Sequence, residues 1–350
     1  MHINHKISFN IQFYALCFLC LFIFMLLNYT YTSQFHNNCI QPYRFPNNFD
    51  KLKSNFQSEI SISDQEKFLQ SCNDKICMHG VCFLGKCFCN DGSFGPYCKA
   101  KISKDSCQAD SCFYSEEFGV PFVDEQRWSL AQSEELSLWA DCKTCVDDGW
   151  QRHQDGFKNY QDIQGPLNSY IEIGCGPFTQ TINILQNARP DLFPTVTTLT
   201  LLDPNLFNYV RTVQGNTYKD GKLLGKRVLM LGLSTEDYSN VKNTYDTLTV
   251  INVAEHTQSI FQHLENIYYM LKPGGQLIFH DRAWPHYNPS QHHDVDHRDW
   301  LFHPTRAKAP VFDHFIQFFE HKLLNVFTTG DPLSPTAYYM IGFKKNLTNI

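Results

Sequence analysis

The sequence has no block of basic residues. Its 29 Lys and Arg are outnumbered by 35 Asp and Glu, giving a formal net charge of −6, and no tract interleaves cations with aromatics. The electrostatic footprint of a nucleic-acid binder is therefore missing, and such a partner is not expected. Apolar residues are not scarce: at 43% of 350 residues they exclude a disordered chain and leave room for one large core plus a smaller folded unit. Cysteine is nearly absent from one part of the chain only. Of 14 cysteines, Cys175 alone lies in the last two hundred residues, so a disulfide-rich front half precedes a back half that must fold on its own hydrophobic core.

The chain also lacks an unambiguous membrane span. "FYALCFLCLFIFMLL", Phe13 to Leu27, is uncharged and follows a short segment containing Lys6. It sits at the upper end for a signal-peptide core and short of the roughly 20 residues that cross a bilayer, although the following "NYTY" extends it to a marginal span. Both readings send the chain to the secretory pathway. Thr30, Thr32 and Ser33 make a weak cleavage site, so an uncleaved single-pass anchor with a lumenal or extracellular remainder is expected, secretion after cleavage being the alternative. Positive charge does not set the orientation, because Lys6 faces Arg44, Lys51 and Lys53 across the apolar run. The cysteines do, since a six-cysteine framework would stay reduced in the cytosol.

The expected organisation is a leader over 1–33, a linker or stalk over 34–71, and a cysteine module over 72–98. A connecting region, 99–164, holds further cysteines and the first helices of an α/β domain over 165–350. In the module the spacing is C-x4-C-x4-C-x4-C-x-C-x8-C, ending in "CFCNDGSFGPYC". A segment this short needs covalent staples in place of a core. Paired C-x2-C knuckles are absent, which disfavours zinc, and no acidic cluster precedes Cys72, so no calcium ion is expected. Spacing alone permits fifteen pairings. The ending, with Gly95 before Pro96, resembles the EGF-like family, and that resemblance implies Cys72 with Cys82, Cys77 with Cys87, and Cys89 with Cys98. Such a module serves as a binding element, possible protein contacts included, or as a structural stalk. Cys107, Cys112, Cys142 and Cys145 are expected in further disulfides of unreadable pairing, as is the fate of Cys39. Asn28 and Asn346 head glycosylation sequons.

After Gly165-Pro166 short apolar runs alternate with helical stretches. "NSYIEIG", "TTLTLLD", "KRVLMLG", "YDTLTVIN" and "QLIFHD" read as strands, with a helix from "PFTQTINILQNA" between the first two. A second helix places Ile260, Leu264, Ile267 and Leu271 on one face. "KPGG" ends that helix. "VFDHFIQFFEHKL" reads as a last helix and "AYYMIGFKK" as a last strand. This alternation predicts a mainly parallel sheet covered on both faces, with ligands at the carboxyl ends of its strands.

The residues ending those strands are the informative ones. Glu172-x-Gly174-x-Gly176, with Pro177 opening the helix, permits a tight turn and a close backbone approach to a ligand at a helix N-terminus. The third glycine of a dinucleotide fingerprint is missing after Gly174-x-Gly176, and the large ring of Phe178 stands in that turn, which argues against a nicotinamide-dependent oxidoreductase. Asp203 offers a carboxylate for ribose hydroxyls. Ser234-Thr235-Glu236-Asp237 suits either an adenine amine or the capping of the next helix. "INVAEH" ends the fourth strand, and "LKPGGQLIF" leads into the fifth.

Together "IEIGCG", "LLDP", "NVAEH" and "LKPGGQLIF" resemble class I S-adenosylmethionine-dependent methyltransferases over about Asn168 to Lys345. The resemblance implies a Rossmann-like sheet of seven strands and S-adenosylmethionine as cofactor. It implies that Glu172, Gly174 and Gly176 hold the methionine and ribose end, Asp203 the ribose hydroxyls and Asn252 the floor of the site. Cys175 and Glu236 complete the expected cofactor contacts, with Cys175 a free thiol packed inside the turn. The sulfonium arrives activated, so catalysis reduces to positioning, with a base only for a hydroxyl acceptor. Candidates are Glu255, His256, His280 and Asp281.

The stretch His280 to Arg306 holds six of the chain's 15 histidines. It reads as a polar lid or as a metal site through His292, His293 and Asp294, with Asp296 and His297 beside them. Arg306 is expected against an acidic group of the acceptor or as a helix cap. The function expected is methyl transfer to a hydroxyl or carboxyl of a glycan, lipid or small molecule. The alternative is an inactive, EGF-containing interaction protein of the same fold.

Overall fold

The computed structural model describes residues 80–84, 86–89, 93–94, 100–101, 114–141, 150–288, 302–328 and 336–345. The chain divides into two units, Met1–Ser61 and Ile62–Ile350, and every described residue belongs to the second. The apolar leader, both sequons, Cys39, the four cysteines from Cys107 to Cys145, and His292, His293, Asp294, Asp296 and His297 lie outside the described residues. No described helix is long and apolar enough to cross a membrane.

The α/β part is built on seven strands. They are β1 (Asn168–Ile173), β2 (Val196–Leu202), β3 (Leu229–Leu231), β4 (Tyr245–Ile251), β5 (Leu271–Ala283), β6 (Phe319–Phe327) and β7 (Thr336–Lys344). They form the single seven-stranded sheet that the resemblance implies, and their order across it is β3-β2-β1-β4-β5-β7-β6. The first five are parallel, and β7 inserts antiparallel between β5 and β6. Strand order reverses at β1 and β4, so a crevice opens where their carboxyl ends diverge.

Both faces are covered, which is why the central strands are near-continuous apolar runs. Along β5, Leu277 and Phe279 face one core with Leu248, Val250, Leu264, Ile267 and Phe315, while Ile278 faces the other with Tyr170, Leu199, Leu201 and Ile341. That alternation follows from the period of two in a strand. Helix α5 (Ile260–Met270) supplies the first core, and its start is capped by Ser259, whose side chain accepts from the Gln262 amide. At its other end the buried Lys344 ammonium donates to the carbonyls of Tyr268 and Leu271, both at 2.8 Å.

Several expected elements are corrected. "KPGG" does not stand between helix and strand: β5 already begins at Leu271, and the break is absorbed as a register shift between the pairs Tyr245/Leu271 and Thr247/Gln276. "KRVLMLG" is two pieces, a Lys226–Arg227 ribbon paired with Lys222–Leu223 and the separate edge strand β3. The last helix, α6 (Ala309–Ile316), is shorter than expected, and "FEHKL" belongs to β6.

The cysteine module is described at its hairpin, where Gly80–Phe83 pairs antiparallel with Lys86–Cys89. Cys87 is disulfide-bonded; the expected pairings reach residues whose side chains lie outside the described set. The hairpin does not stand clear of the α/β part. Phe83, fully buried, and Leu84 join its first core, with the Phe83 ring 5.5 Å from Phe261 and 5.6 Å from His314. His314 Nε2 lies 3.2 and 3.3 Å from the carbonyl oxygens of Phe83 and Leu84.

Candidate active site

At the end of β1 the chain turns through Gly174 and Gly176, whose φ angles are 64° and 52°. Those angles suit glycine, since any Cβ costs about 1–2 kcal/mol in the left-handed region. The two differ in surroundings. A Cβ on Gly174 would lie 2.4 Å from Val253 Cγ2, whereas one on Gly176 would meet nothing within 4 Å. Gly174 N donates to the Leu202 carbonyl at 2.7 Å, locking the turn to the end of β2. Asp203, the next residue there, accepts from Gly176 N at 3.0 Å through Oδ2 and from Asn205 N at 2.8 Å through Oδ1. From far along the chain, Tyr218 donates its hydroxyl to the Gly176 carbonyl at 2.6 Å. Cys175 is a buried free thiol in contact with that hydroxyl, as expected, and burial holds it well above the ordinary thiol range.

Glu172 lines the cleft, but both its carboxylate oxygens face a helix start. Oε1 accepts from Gln180 N at 2.8 Å; Oε2 accepts from Thr181 N at 3.0 Å and Thr181 Oγ1 at 2.5 Å. This helix, α3 (Gln180–Ile182), continues in wider π-type turns over Asn183–Ala188. It begins after Pro177 and Phe178, not at Pro177 as the sequence suggested. The carboxylate therefore satisfies amides that would otherwise be orphaned at the helix N-terminus and fixes the glycine turn against it. Burial is the main cause that raises Glu172 to about 7 and Asp203 to about 6.

The facing wall follows β4. Asn252 adopts φ 62°, donates its amide to the His280 carbonyl at 2.9 Å, and leaves its side-chain Oδ1 buried in the cleft wall without a hydrogen-bond partner. A buried acceptor without a donor costs free energy, so this atom calls for a ligand group. Glu236 also lines the cleft, and its Oε1 accepts from Gln258 N and Ser259 N at 2.9 and 3.0 Å. The capping role is thus realised toward α5.

Of the four catalytic candidates, Glu255, His256, His280 and Asp281, only His256 lines the cleft. His280 is turned away, its ring 4.7 Å from that of His153 and 4.2 Å from that of Tyr339, and burial keeps it neutral. Asp281 is a brace: Oδ2 accepts from Val253 N at 3.1 Å and Ala254 N at 2.6 Å, and Oδ1 from Arg282 N at 3.0 Å. It sets the loop that carries Glu255 and His256. Arg306 packs its guanidinium 4.7 Å from the Trp284 ring and 4.7 Å from the Tyr287 ring, and it does not line the cleft.

The cleft has a volume of about 320 Å³. Its roof is α1 (Glu125–Asp141), one of the first helices that the sequence placed in the 99–164 region without giving them a part in the site. Trp128, Gln132, Glu135, Leu138 and Trp139 form the lining face of α1, at helical spacing. Trp128 Nε1 and Gln132 Nε2 both donate to the His256 carbonyl, at 3.0 and 2.9 Å. The Trp139 ring stands 5.7 Å from that of Phe178, which thereby helps close the roof. Glu255, fully buried, is ion-paired with Arg282 and accepts from Trp284 Nε1 at 3.3 Å.

No family model matches the chain, and no curated protein matches it either. Among solved structures it is similar to N-methyltransferase NodS from Bradyrhizobium japonicum, crystallised with S-adenosylhomocysteine. The identity is 15% and the TM-score 0.42, over 62% of this chain and 99% of that one. It is similar to a SAM-dependent methyltransferase from Leishmania major at 16% identity and a TM-score of 0.38, over 60% and 82% of the two chains. It is also similar to the 4+2 cyclase SpnF at 11% identity and a TM-score of 0.44, over 64% and 98%. At this distance the function has to be read from the residues of the cleft.

Proposed function

We propose that this chain is an S-adenosylmethionine-dependent methyltransferase acting on a hydroxyl or carboxyl group of a small molecule, glycan or lipid. The observation that carries the reading is a convergence in one cleft: the open side of Gly176, the Asp203 carboxylate and the unpartnered Oδ1 of Asn252. These fit the cofactor. Gly176 admits it without a Cβ in the way, Asp203 accepts from ribose hydroxyls, and Asn252 Oδ1 accepts a hydrogen bond from the ligand that no group of the protein donates. When bound, the cofactor provides a methyl group already activated on a positively charged sulfur. What remains for the protein is orientation and loss of the acceptor's proton. Trp128 and Gln132 hold the backbone of His256 at the edge of the cleft, and its side chain lines that cleft.

The proposed setting is the secretory pathway, with the chain anchored or secreted. The disulfide at Cys87 supports an oxidising compartment.

Binding should be linked to protons. Glu172 and Asp203 titrate near 7 and 6 because burial disfavours their charge, and a cation placed beside them favours it. Their pKa values fall on binding, so protons are released and affinity rises with pH between about 5 and 7. Calorimetry in two buffers of different ionisation heat reads the release directly. S-adenosylhomocysteine, whose sulfur is neutral, should release fewer protons.

The reading itself is tested by thermal unfolding of the full chain. At a hundredfold excess over Kd, S-adenosylmethionine should stabilise by about 2.7 kcal/mol, and NAD should not. Stabilisation by NAD alone would move the chain to the oxidoreductases. Stabilisation by neither would leave the interaction-protein alternative.

A further inference from the structure

Outside the cofactor contacts, one cluster in the cleft has its own chemistry. Glu255, His256 and His303 each present one ligand atom, and these atoms lie within 4.8 Å of one another. The two imidazole rings are 4.7 Å apart at 69°, and His303 Nε2 is 3.4 Å from Glu255 Oε1. His256 and His303 both line the cleft.

The cluster is assembled by the return of a distant segment. Thr305, fully buried, donates its amide to the Glu255 carbonyl at 3.3 Å and its hydroxyl to the Ala254 carbonyl at 2.8 Å. That pins His303 against the loop after β4. The carboxylate is aimed as well: Arg282 and Trp284 Nε1 hydrogen-bond to it, the outer support that ligating carboxylates have in metal sites. His256 Nδ1 is buried without a hydrogen-bond partner, and Glu135 Oε2, 3.9 Å away, adds negative charge beside the cluster. Arg282 is ion-paired with Glu255 and offsets its charge.

We propose that Glu255, His256 and His303 form a divalent transition-metal site in the wall of the cleft. Two imidazoles and one carboxylate suit manganese, iron or zinc and match magnesium or calcium poorly. Three protein ligands leave coordination positions open, and these face the cleft. A substrate with an oxygen donor, such as a hydroxyl flanked by a second oxygen, is held there and made more acidic. That last assignment rests on the methyltransferase reading; the metal site itself does not. The residues differ from His292, His293 and Asp294, to which the sequence pointed.

The test uses the purified full chain, stripped with chelator and titrated with Mn²⁺ while the free ion is followed by electron paramagnetic resonance. One saturable equivalent is expected. His256→Ala and His303→Ala should each weaken it by at least about 10-fold. Arg282→Ala should weaken it by about 10-fold as well, because the carboxylate loses the partner that aims it. Absence of saturable uptake overturns the proposal. So does uptake unaffected by His303→Ala but lost on replacing His292 and His293 by alanine. Mn²⁺ uptake without S-adenosylmethionine binding sustains the site while removing the methyltransferase reading. Cofactor binding without Mn²⁺ uptake does the reverse.

Discussion

Gly174→Ala will lose cofactor binding together with much of the stability, whereas Gly176→Ala will lose binding at a smaller cost in stability. Both positions have positive φ, so each substitution carries about 1–2 kcal/mol of backbone strain. At Gly174 the new methyl also overlaps Val253 Cγ2 and Cγ1, at 2.4 and 2.7 Å. Val253 cannot retreat, because its amide is held by Asp281 and its side chain belongs to the first core. Overpacking there adds about 1–3 kcal/mol. At Gly176 the methyl meets no protein atom and projects where the cofactor is to lie. Calorimetry should record a loss of affinity of at least about a hundredfold for both, the equivalent of about 2.7 kcal/mol. Thermal unfolding should separate them, with the Gly174 variant clearly less stable. Normal binding by Gly176→Ala would contradict the placement of the cofactor.

Phe83→Ala will cost about 3–5 kcal/mol, the range for removing a fully buried ring from a core. The effect is large because Phe83 belongs to the first core of the α/β part. It fills a site made by Phe261 and His314 in the α/β part. Denaturant unfolding should show the midpoint of the whole α/β transition moving. Leu324→Ala, exposed on the edge strand β6, should stay within about 0.5 kcal/mol. A Phe83 variant as stable as the parent would mean that the module is the detached stalk the sequence allowed.

Much of this architecture was legible in the sequence because buried parallel strands advertise themselves as unbroken apolar runs. β1, β2, β4 and β7 fall within a residue or so of their expected limits. The last helix was overextended for an equally physical reason. Phe315, Phe319 and Leu323 recur every four residues, as on a helix face, yet the last two lie on the buried side of an edge strand whose other residues are largely exposed. The site divides in the same way. Glu172, Gly174, Gly176, Asp203 and Asn252 end strands, and strand ends of such a sheet meet at one crevice, so their convergence was readable. Tyr218, the α1 roof and the partnership of Glu255 and His256 with His303 depend on where distant segments return. His280 and Asp281 were expected to end a strand, but β5 runs on to Ala283, and its register places the first against Tyr339 and gives the second to the loop amides.

The most direct test of the central claim is a calorimetric titration of the purified full chain with S-adenosylmethionine, repeated on Asp203→Ala. One saturable site is predicted for the parent. In the variant, binding falls below detection, because both the ribose acceptor and the hydrogen bond that shapes Gly176 are gone. No heat in a parent whose Cys87 disulfide is intact, or equal binding by parent and variant, would contradict it.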